Sequence, residues 1–161
     1  MKILLTALTF FVVVSGKSAN AQSRITGGVY IIGEIPSEYS VRITPETAAT
    51  QLAIQKGETE TKVASVIESV NSSSGYSILI STQNGGMLVN DSNTKSAIPY
   101  QLSYDGLPAT QPSTSAKPVK VVSALPDPIV HESQIRITFR GQANAPVGTY
   151  GDTIFLQISA P

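Results

Sequence analysis

The stretch Ile98-Pro99-Tyr100-Gln101-Leu102-Ser103-Tyr104 decides the fold class, because its large apolar residues alternate strictly with other residues. Side chains of a β-strand point alternately to its two faces, so this spacing predicts a strand with one buried face. The proline cannot donate a backbone hydrogen bond, which places the early part of the strand at a sheet edge or beside a bulge.

Strand patterns of the same kind occur on both sides of this stretch, and turn signals separate them. They cover residues 39–44, 50–55, 61–70, 76–80, 87–89, 119–122, 135–139 and 149–159, with a blurred period in 61–70. No segment after the first 21 residues shows a convincing helical period. Many short strands at this spacing predict an all-β protein, an antiparallel β-sandwich over roughly residues 24–160.

The connections between these strands also carry signals. Asn84-Gly85-Gly86 predicts a hairpin between strands 76–80 and 87–89, since Asn-Gly tolerates positive φ. Asp105-Gly106 predicts a turn. Leu107–Pro118 is rich in proline, serine and threonine and predicts a long loop.

The first 21 residues have the features of a secretory signal peptide. Lys2 supplies a positive start, Ile3–Val14 is an apolar run, and Ala19-Asn20-Ala21 fits a cleavage site after Ala21. We therefore expect an exported protein of the periplasm, the cell surface or the medium. No second apolar run approaches the roughly 18–20 residues that span a bilayer, so no membrane span is predicted in the mature chain.

Composition argues against several classes of protein. Two of the 11 basic residues, Lys2 and Lys17, lie in the signal, which leaves 9 against 11 acidic residues in the rest of the chain. Charge this sparse and balanced offers no basic surface for nucleic acid. The sequence contains no cysteine, so disulfides, zinc–thiolate sites and iron–sulfur clusters cannot form.

Residues 22–36 form a separate strand pattern ahead of the predicted sandwich domain, residues 37–161. Alternate positions carry the small or apolar residues Ile25, Gly27, Val29, Ile31, Gly33 and Ile35. A strand at this place can complete the sheet of its own domain or that of a neighbouring molecule. Pro36-Ser37 is predicted to be the hinge between the strand and the domain.

Residues with catalytic or metal-binding chemistry are few. His131 is the only histidine and lies in a proline-rich connection, where we expect a solvated side chain rather than a general base. A Gly-x-Ser-x-Gly nucleophile motif is absent from the sequence. Glu58 with Glu60, and Asp91 with its asparagine neighbours, offer oxygen ligands without a calcium-loop pattern. We predict no enzyme activity, no cofactor and no metal site.

Three groups of short motifs follow one another along the chain. The first is Thr26–Ile31, the second runs from Asn71 through Asn84-Gly85-Gly86 to Tyr104, and the third is Ala145–Ile154 with its Gly-Thr-Tyr-x-Asp-Thr sequence. In this order they resemble the secreted pilin-like proteins of the spore coat U and Csu-type fimbrial family. The resemblance covers nearly all of the chain after the signal.

The resemblance implies an incomplete immunoglobulin-like (pilin-like) β-sandwich that receives its missing strand from the N-terminus of the next subunit. It implies a periplasmic chaperone and an outer-membrane usher as partners. The donor-strand face would consist of Ile25, Gly27, Val29, Ile31 and Ile35.

The family's disulfide has no counterpart in this sequence. At the matching positions stand Tyr39 and Val70, which we expect to be neighbours that pack against each other.

Two functions remain open at this point. The first is a non-catalytic structural subunit of a fimbrial or cell-surface assembly, for example in cell adhesion, formed by self-association or with related pilin subunits. The second is a self-complemented, secreted or periplasmic sandwich that binds a ligand through loops such as Leu107–Pro118. The two differ in where the strand pattern of residues 25–35 is buried.

Overall fold

The computed structural model describes residues 30–161, which fall into two units. Residues 30–34 belong to the first unit, and Ile35–Pro161 form the second. The strands are β1 (Tyr39–Pro45), β2 (Gly57–Val70), β3 (Tyr76–Thr82), β4 (Met87–Asn90), β5 (Ala97–Pro99), β6 (Gln101–Tyr104), β7 (Lys117–Val122), β8 (Ile129–Arg140), β9 (Tyr150–Gly151) and β10 (Ile154–Ser159).

The strands pair in three antiparallel sheets. One sheet has the order β1-β2-β8-β6, the second β10-β3-β7 and the third β5-β4-β9. All pairings among these strands are antiparallel. Side chains from all three sheets pack into a common hydrophobic core. The predicted all-β, antiparallel and sandwich-like architecture is therefore confirmed.

The stretch 98–104 lies in the core as its alternation predicts. Ile98, Tyr100, Leu102 and Tyr104 are each no more than 4% exposed. Pro99 lies in β5, an edge strand, which agrees with its missing donor. The strand is interrupted at Tyr100, where the chain passes from the β4 sheet to the β8 sheet.

The blurred period of residues 61–70 has a structural cause in β2. Its pairing with β8 shifts register between Glu58 and Thr61 and again between Lys62 and Ala64. An irregularity of this kind changes which side of a strand a residue faces. Consequently the consecutive residues Val63 and Ala64 are both buried.

Two local predictions are wrong. Residues 50–55 form no strand; a short 3₁₀ helix, Thr47–Thr50, is followed by a turn. Leu52 and Ile54 still pack against the core, so the alternation reflects burial without strand pairing.

The predicted hairpin at Asn84-Gly85-Gly86 is the second error, because β3 and β4 belong to different sheets. Both glycines have positive φ, 63° and 78°, and the turn transfers the chain between sheets.

The N-terminal part of the described chain differs from the prediction as well. Residues 30–38 contain no strand, and Tyr30, Ile31, Ile32 and Ile35 are between 76% and 87% exposed. Ile25, Gly27 and Val29 lie outside the described residues, as does the predicted signal peptide. No helix in the described part of the chain is long and apolar enough to cross a membrane.

The predicted hinge at Pro36-Ser37 is tied to the domain. The Asn71 side chain holds the backbone on both sides of Ser37, at Pro36 and Glu38. The boundary between the two units lies earlier, between Glu34 and Ile35.

Candidate functional site

One side of the domain has two outer strands with free edges. β1 is the last strand of the four-stranded sheet and β10 the last strand of one three-stranded sheet. The two strands approach each other. Within residues 30–161, no strand pairs with the second edge of either one. We call the space between them the β1–β10 groove.

The core is incompletely covered along this groove. The alternate residues of β10 that face the core, Ile154, Leu156 and Ile158, are only half-buried. On the central strand β3, by contrast, Tyr76, Ile78 and Ile80 are no more than 2% exposed. Apolar side chains are therefore partly open to solvent where β1 and β10 meet.

The groove widens into a cavity where β1 ends and β10 begins. Its volume is about 290 Å³, and its walls are mainly apolar. Ile43 and Pro45 of β1 and Ile154 of β10 line the two sides, and Ile135 and Ile137 of β8 contribute to the lining. Ile43, on β1, is 41% exposed. The cavity can therefore accept aliphatic side chains.

The opposite side of the sandwich is closed by the segment after β6. Leu102 and Thr110 exchange backbone hydrogen bonds of 2.8 and 2.9 Å, and the amide of Thr82 donates to the carbonyl of Ser113 over 2.9 Å. The predicted loop thus packs along β6 and β3. The second edge of β6 thus has a partner, which β1 and β10 lack among residues 30–161.

Asp152 organises the polar end of the cavity. Its Oδ1 accepts a hydrogen bond of 2.9 Å from the amide of Asn84, and its Oδ2 accepts one of 2.9 Å from the Tyr100 hydroxyl. Burial and the neighbouring carboxylate raise the pKa of Tyr100, which keeps the hydroxyl protonated as a donor. The Asp of the Gly-Thr-Tyr-x-Asp-Thr motif therefore fixes the start of β10 against the Asn-Gly-Gly turn.

The glycine of the same motif is required by a close approach to Asn90. Gly148 has a φ of 144°, and a Cβ atom there would lie 2.6 Å from the Asn90 amide. Asn90 is fully buried; its Oδ1 accepts the amides of Ser92 and Asn93. Its amide oxygen is thus engaged in this turn.

A buried carboxylate, Glu68, joins strands of two sheets. It is 0% exposed and accepts hydrogen bonds of 2.5 Å from Tyr76 on β3, Tyr104 on β6 and Ser133 on β8. Lys120 on β7 donates to both of its oxygens, over 3.2 and 3.1 Å. Burial alone would raise the pKa of Glu68, but these hydrogen bonds together hold it below its ordinary value.

Asp105 and His131 extend this cluster to the surface. Lys120 Nζ lies 2.9 Å and His131 Nε2 3.0 Å from Asp105 Oδ2. Ligand atoms of Glu68, Asp105 and His131 lie within 4.8 Å of one another, but the ammonium of Lys120 already contacts both carboxylates. His131 therefore lies in strand β8, which corrects its predicted place in a connection, whereas its side chain is exposed, as predicted, and contacts Asp105.

No family model matches the chain, and no curated protein matches it.

Three other residues singled out in the sequence, Glu58, Tyr39 and Val70, lie outside the cavity lining. Glu58 accepts hydrogen bonds from the amide of Ala53 and the hydroxyl of Thr61, which lower its pKa. Tyr39 and Val70 are register partners of β1 and β2, so their predicted proximity is confirmed. That they replace a family disulfide stays a prediction.

Sequence reasoning missed Glu68 and Asn71. A signal for Glu68 existed, since it occupies the inward side of β2 two residues after Val66 and two before Val70. A carboxylate at an inward position requires partners, because an unpaired buried charge is costly. Its partners on four other strands could not be read from the sequence.

Proposed function

We propose that this protein is a non-catalytic structural subunit of a fimbrial or cell-surface assembly, and that it polymerises by donor-strand addition. The β1–β10 groove would accept the N-terminal strand of another subunit. The observation that supports this most directly is the pair of free edges over half-buried aliphatic side chains. An added strand would pair with a free edge and cover those side chains, as in other cases of β-strand addition.

The strand order supports an immunoglobulin-like reading. One sheet of an immunoglobulin domain has the strand order A-B-E-D, which corresponds to the order β1-β2-β8-β6 here. In the other sheet, β10 corresponds to strand F and β3 to strand C. The position of strand G, beside β10, has no occupant among residues 30–161. One departure is β7, which pairs with β3 although it follows β6 along the chain.

The apolar segment at the N-terminus provides a suitable donor. Ile31 and Ile35 are each 87% exposed and lie at alternate positions with Gly33 between them. Burial of one such side chain contributes roughly 1.5–3 kcal/mol. The same alternation continues through Val29 and Ile25 in the sequence. We propose that this segment enters the groove of a related subunit or another copy, with a periplasmic chaperone and an usher in export.

Two charge substitutions test the donor role and the acceptor role of the molecule separately. Val29→Asp would place a carboxylate on the donor-strand face, which is the inserting face. Ile43→Asp would place a carboxylate in the groove of the accepting molecule. A buried carboxylate without a partner is costly, so each variant alone should stay monomeric. A mixture of both should form a dimer, because Val29→Asp retains a good groove and Ile43→Asp a good donor.

The measurement is light scattering after chromatography of residues 22–161, refolded from denaturant singly and together. Ile67→Asp is the matched control, since Ile67 is 37% exposed, similar to Ile43, but lies on β2 outside the cavity lining. It should polymerise like the unmodified chain. Failure of the mixture to dimerise would refute the assignment of donor and acceptor. A stable, cooperative monomer of the unmodified chain would favour the self-complemented binding module.

A further inference from the structure

We infer that the Asn71 side chain fixes the point where the N-terminal segment leaves the domain, and thereby favours insertion into another copy over insertion into its own groove. This inference rests on the proposed function. It assigns Asn71 the role of a positioning residue for the donor segment.

Asn71 holds the chain just before β1 by three hydrogen bonds. Its Oδ1 accepts the amide of Glu38 over 2.5 Å, and its Nδ2 donates to the carbonyl of Pro36 over 3.1 Å. Its own amide donates to the carbonyl of Glu38 over 3.2 Å. The side-chain amide acts like a peptide group and extends the β1–β2 pairing back to Pro36. We call these contacts the Asn71 clamp.

The clamp and the cavity lie at opposite ends of β1. Tyr39 pairs with Val70, the residue next to Asn71, whereas Pro45 lines the cavity. The seven residues of β1 separate the two ends by about 20 Å at the rise of a strand. A segment that starts at the clamp must therefore reverse its direction before it can run along its own groove towards the cavity.

A reversal would compete with insertion for the same residues. With Pro36–Glu38 held by the clamp, the turn must use residues before Pro36, and these include Ile35 of the inserting face. Insertion into a second copy needs no such turn and uses the whole face.

A tethered segment otherwise has an effective concentration in the millimolar range at a site on its own molecule. A device that disfavours self-insertion is thus needed for polymers to form at micromolar protein. Release of the clamp would free Pro36–Glu38 to form the turn and leave the inserting face intact.

The test compares residues 22–161 of the unmodified chain with Asn71→Ala, refolded at micromolar concentration. The ratio of monomer to oligomer should rise roughly tenfold, the equilibrium factor of two modest hydrogen bonds. Asn71→Asp keeps the acceptor for Glu38 and loses the donor to Pro36, so its ratio should be intermediate. The extra monomer should resist binding of a peptide with the sequence of residues 22–36, because its groove is filled.

Asn93→Ala is the matched control, since Asn93 is also exposed and its Oδ1 accepts a backbone amide, that of Lys95 over 3.3 Å. It should leave the ratio unchanged. An unmodified chain that forms no oligomer overturns the proposed function itself. If the unmodified chain and Asn71→Ala form the same fraction of oligomer, only the role of the clamp is overturned. The same holds if the extra monomer of Asn71→Ala still binds the peptide.

Discussion

At the scale of single residues, Glu68 is the least expected feature of the domain. A protein without disulfides must be held together by packing and polar contacts, and here one buried carboxylate links strands β3, β6, β7 and β8 to β2. Every oxygen of Glu68 has donors, and among the described residues no buried side-chain polar atom lacks a partner. Such a network favours one arrangement of the sheets, since a shifted strand would leave the charge unpaired.

Lys120→Met should lower the free energy of unfolding by about 3–5 kcal/mol at neutral pH, the usual consequence of removing one partner of a buried ion pair. The remaining Glu68 would be charged, fully buried and without a cation. Urea unfolding of the mature chain measures the effect. Lys117→Met is a suitable control, because Lys117 is exposed on the same strand.

The dependence of the free energy of unfolding on pH shows whether these charged groups stabilise the folded state. The pKa of Glu68 is lowered from 4.5 and that of Asp105 from 3.8, so both carboxylates stabilise the folded state above these values. The unmodified chain should lose this stability as the pH falls below about 4.5. The loss of unfolding free energy in Lys120→Met, relative to the unmodified chain, should become smaller on acidification, because protonation of Glu68 removes its unpaired charge. A deficit that is independent of pH would contradict the ion-pair role.

At the scale of elements, the sequence predicts inward positions better than strand partners. Alternation located Ile98–Tyr104 correctly, because burial on one face is a local property of a strand. It failed at Leu52 and Ile54, which pack against the core from a connection that pairs with no strand. The alternation is blurred in β2, because the register shifts depend on residues of β8 that lie more than 70 positions further along the chain.

The pairing of β1 with β2 leads to a test of the inferred disulfide positions. Residues directly opposite each other in an antiparallel pair have Cα atoms about 4.5–5.5 Å apart, within the range that a disulfide can span. Tyr39→Cys with Val70→Cys should therefore oxidise within the molecule. The bond should stabilise the oxidised form over the reduced form of the same variant by about 3–4 kcal/mol, for a loop of this length.

Thiol titration and urea unfolding of both redox forms check this expectation. Tyr39→Cys with Ser69→Cys provides the control, since Ser69 pairs with Ser40 and lies on the other face of β2. Free thiols in the Tyr39–Val70 variant under oxidising conditions would contradict the register of β1 and β2.

At the scale of the whole molecule, the open groove could not be predicted from residue patterns alone. β1 and β10 lie more than 100 residues apart in sequence, and their proximity depends on the packing of the sheets. The sequence did indicate an apolar segment in need of burial, at Ile31 and Ile35. The groove that we propose for such a segment became visible only in the fold.

Removal of residues 22–35 should give a chain that stays monomeric and has a lower thermal midpoint than assembled protein, because its groove stays open. A peptide of residues 22–36 should raise that midpoint, since a ligand that binds only the folded state stabilises it by about 2.7 kcal/mol at a hundredfold excess over its Kd. The same peptide with Val29→Asp should have no effect, because it would bring an unpaired carboxylate into the apolar cavity. Scanning calorimetry with both peptides measures the difference. Equal shifts with both would mean that the peptide binds outside the groove, and a shortened chain as stable as the assembled protein would show that residues 22–35 contribute nothing to the fold.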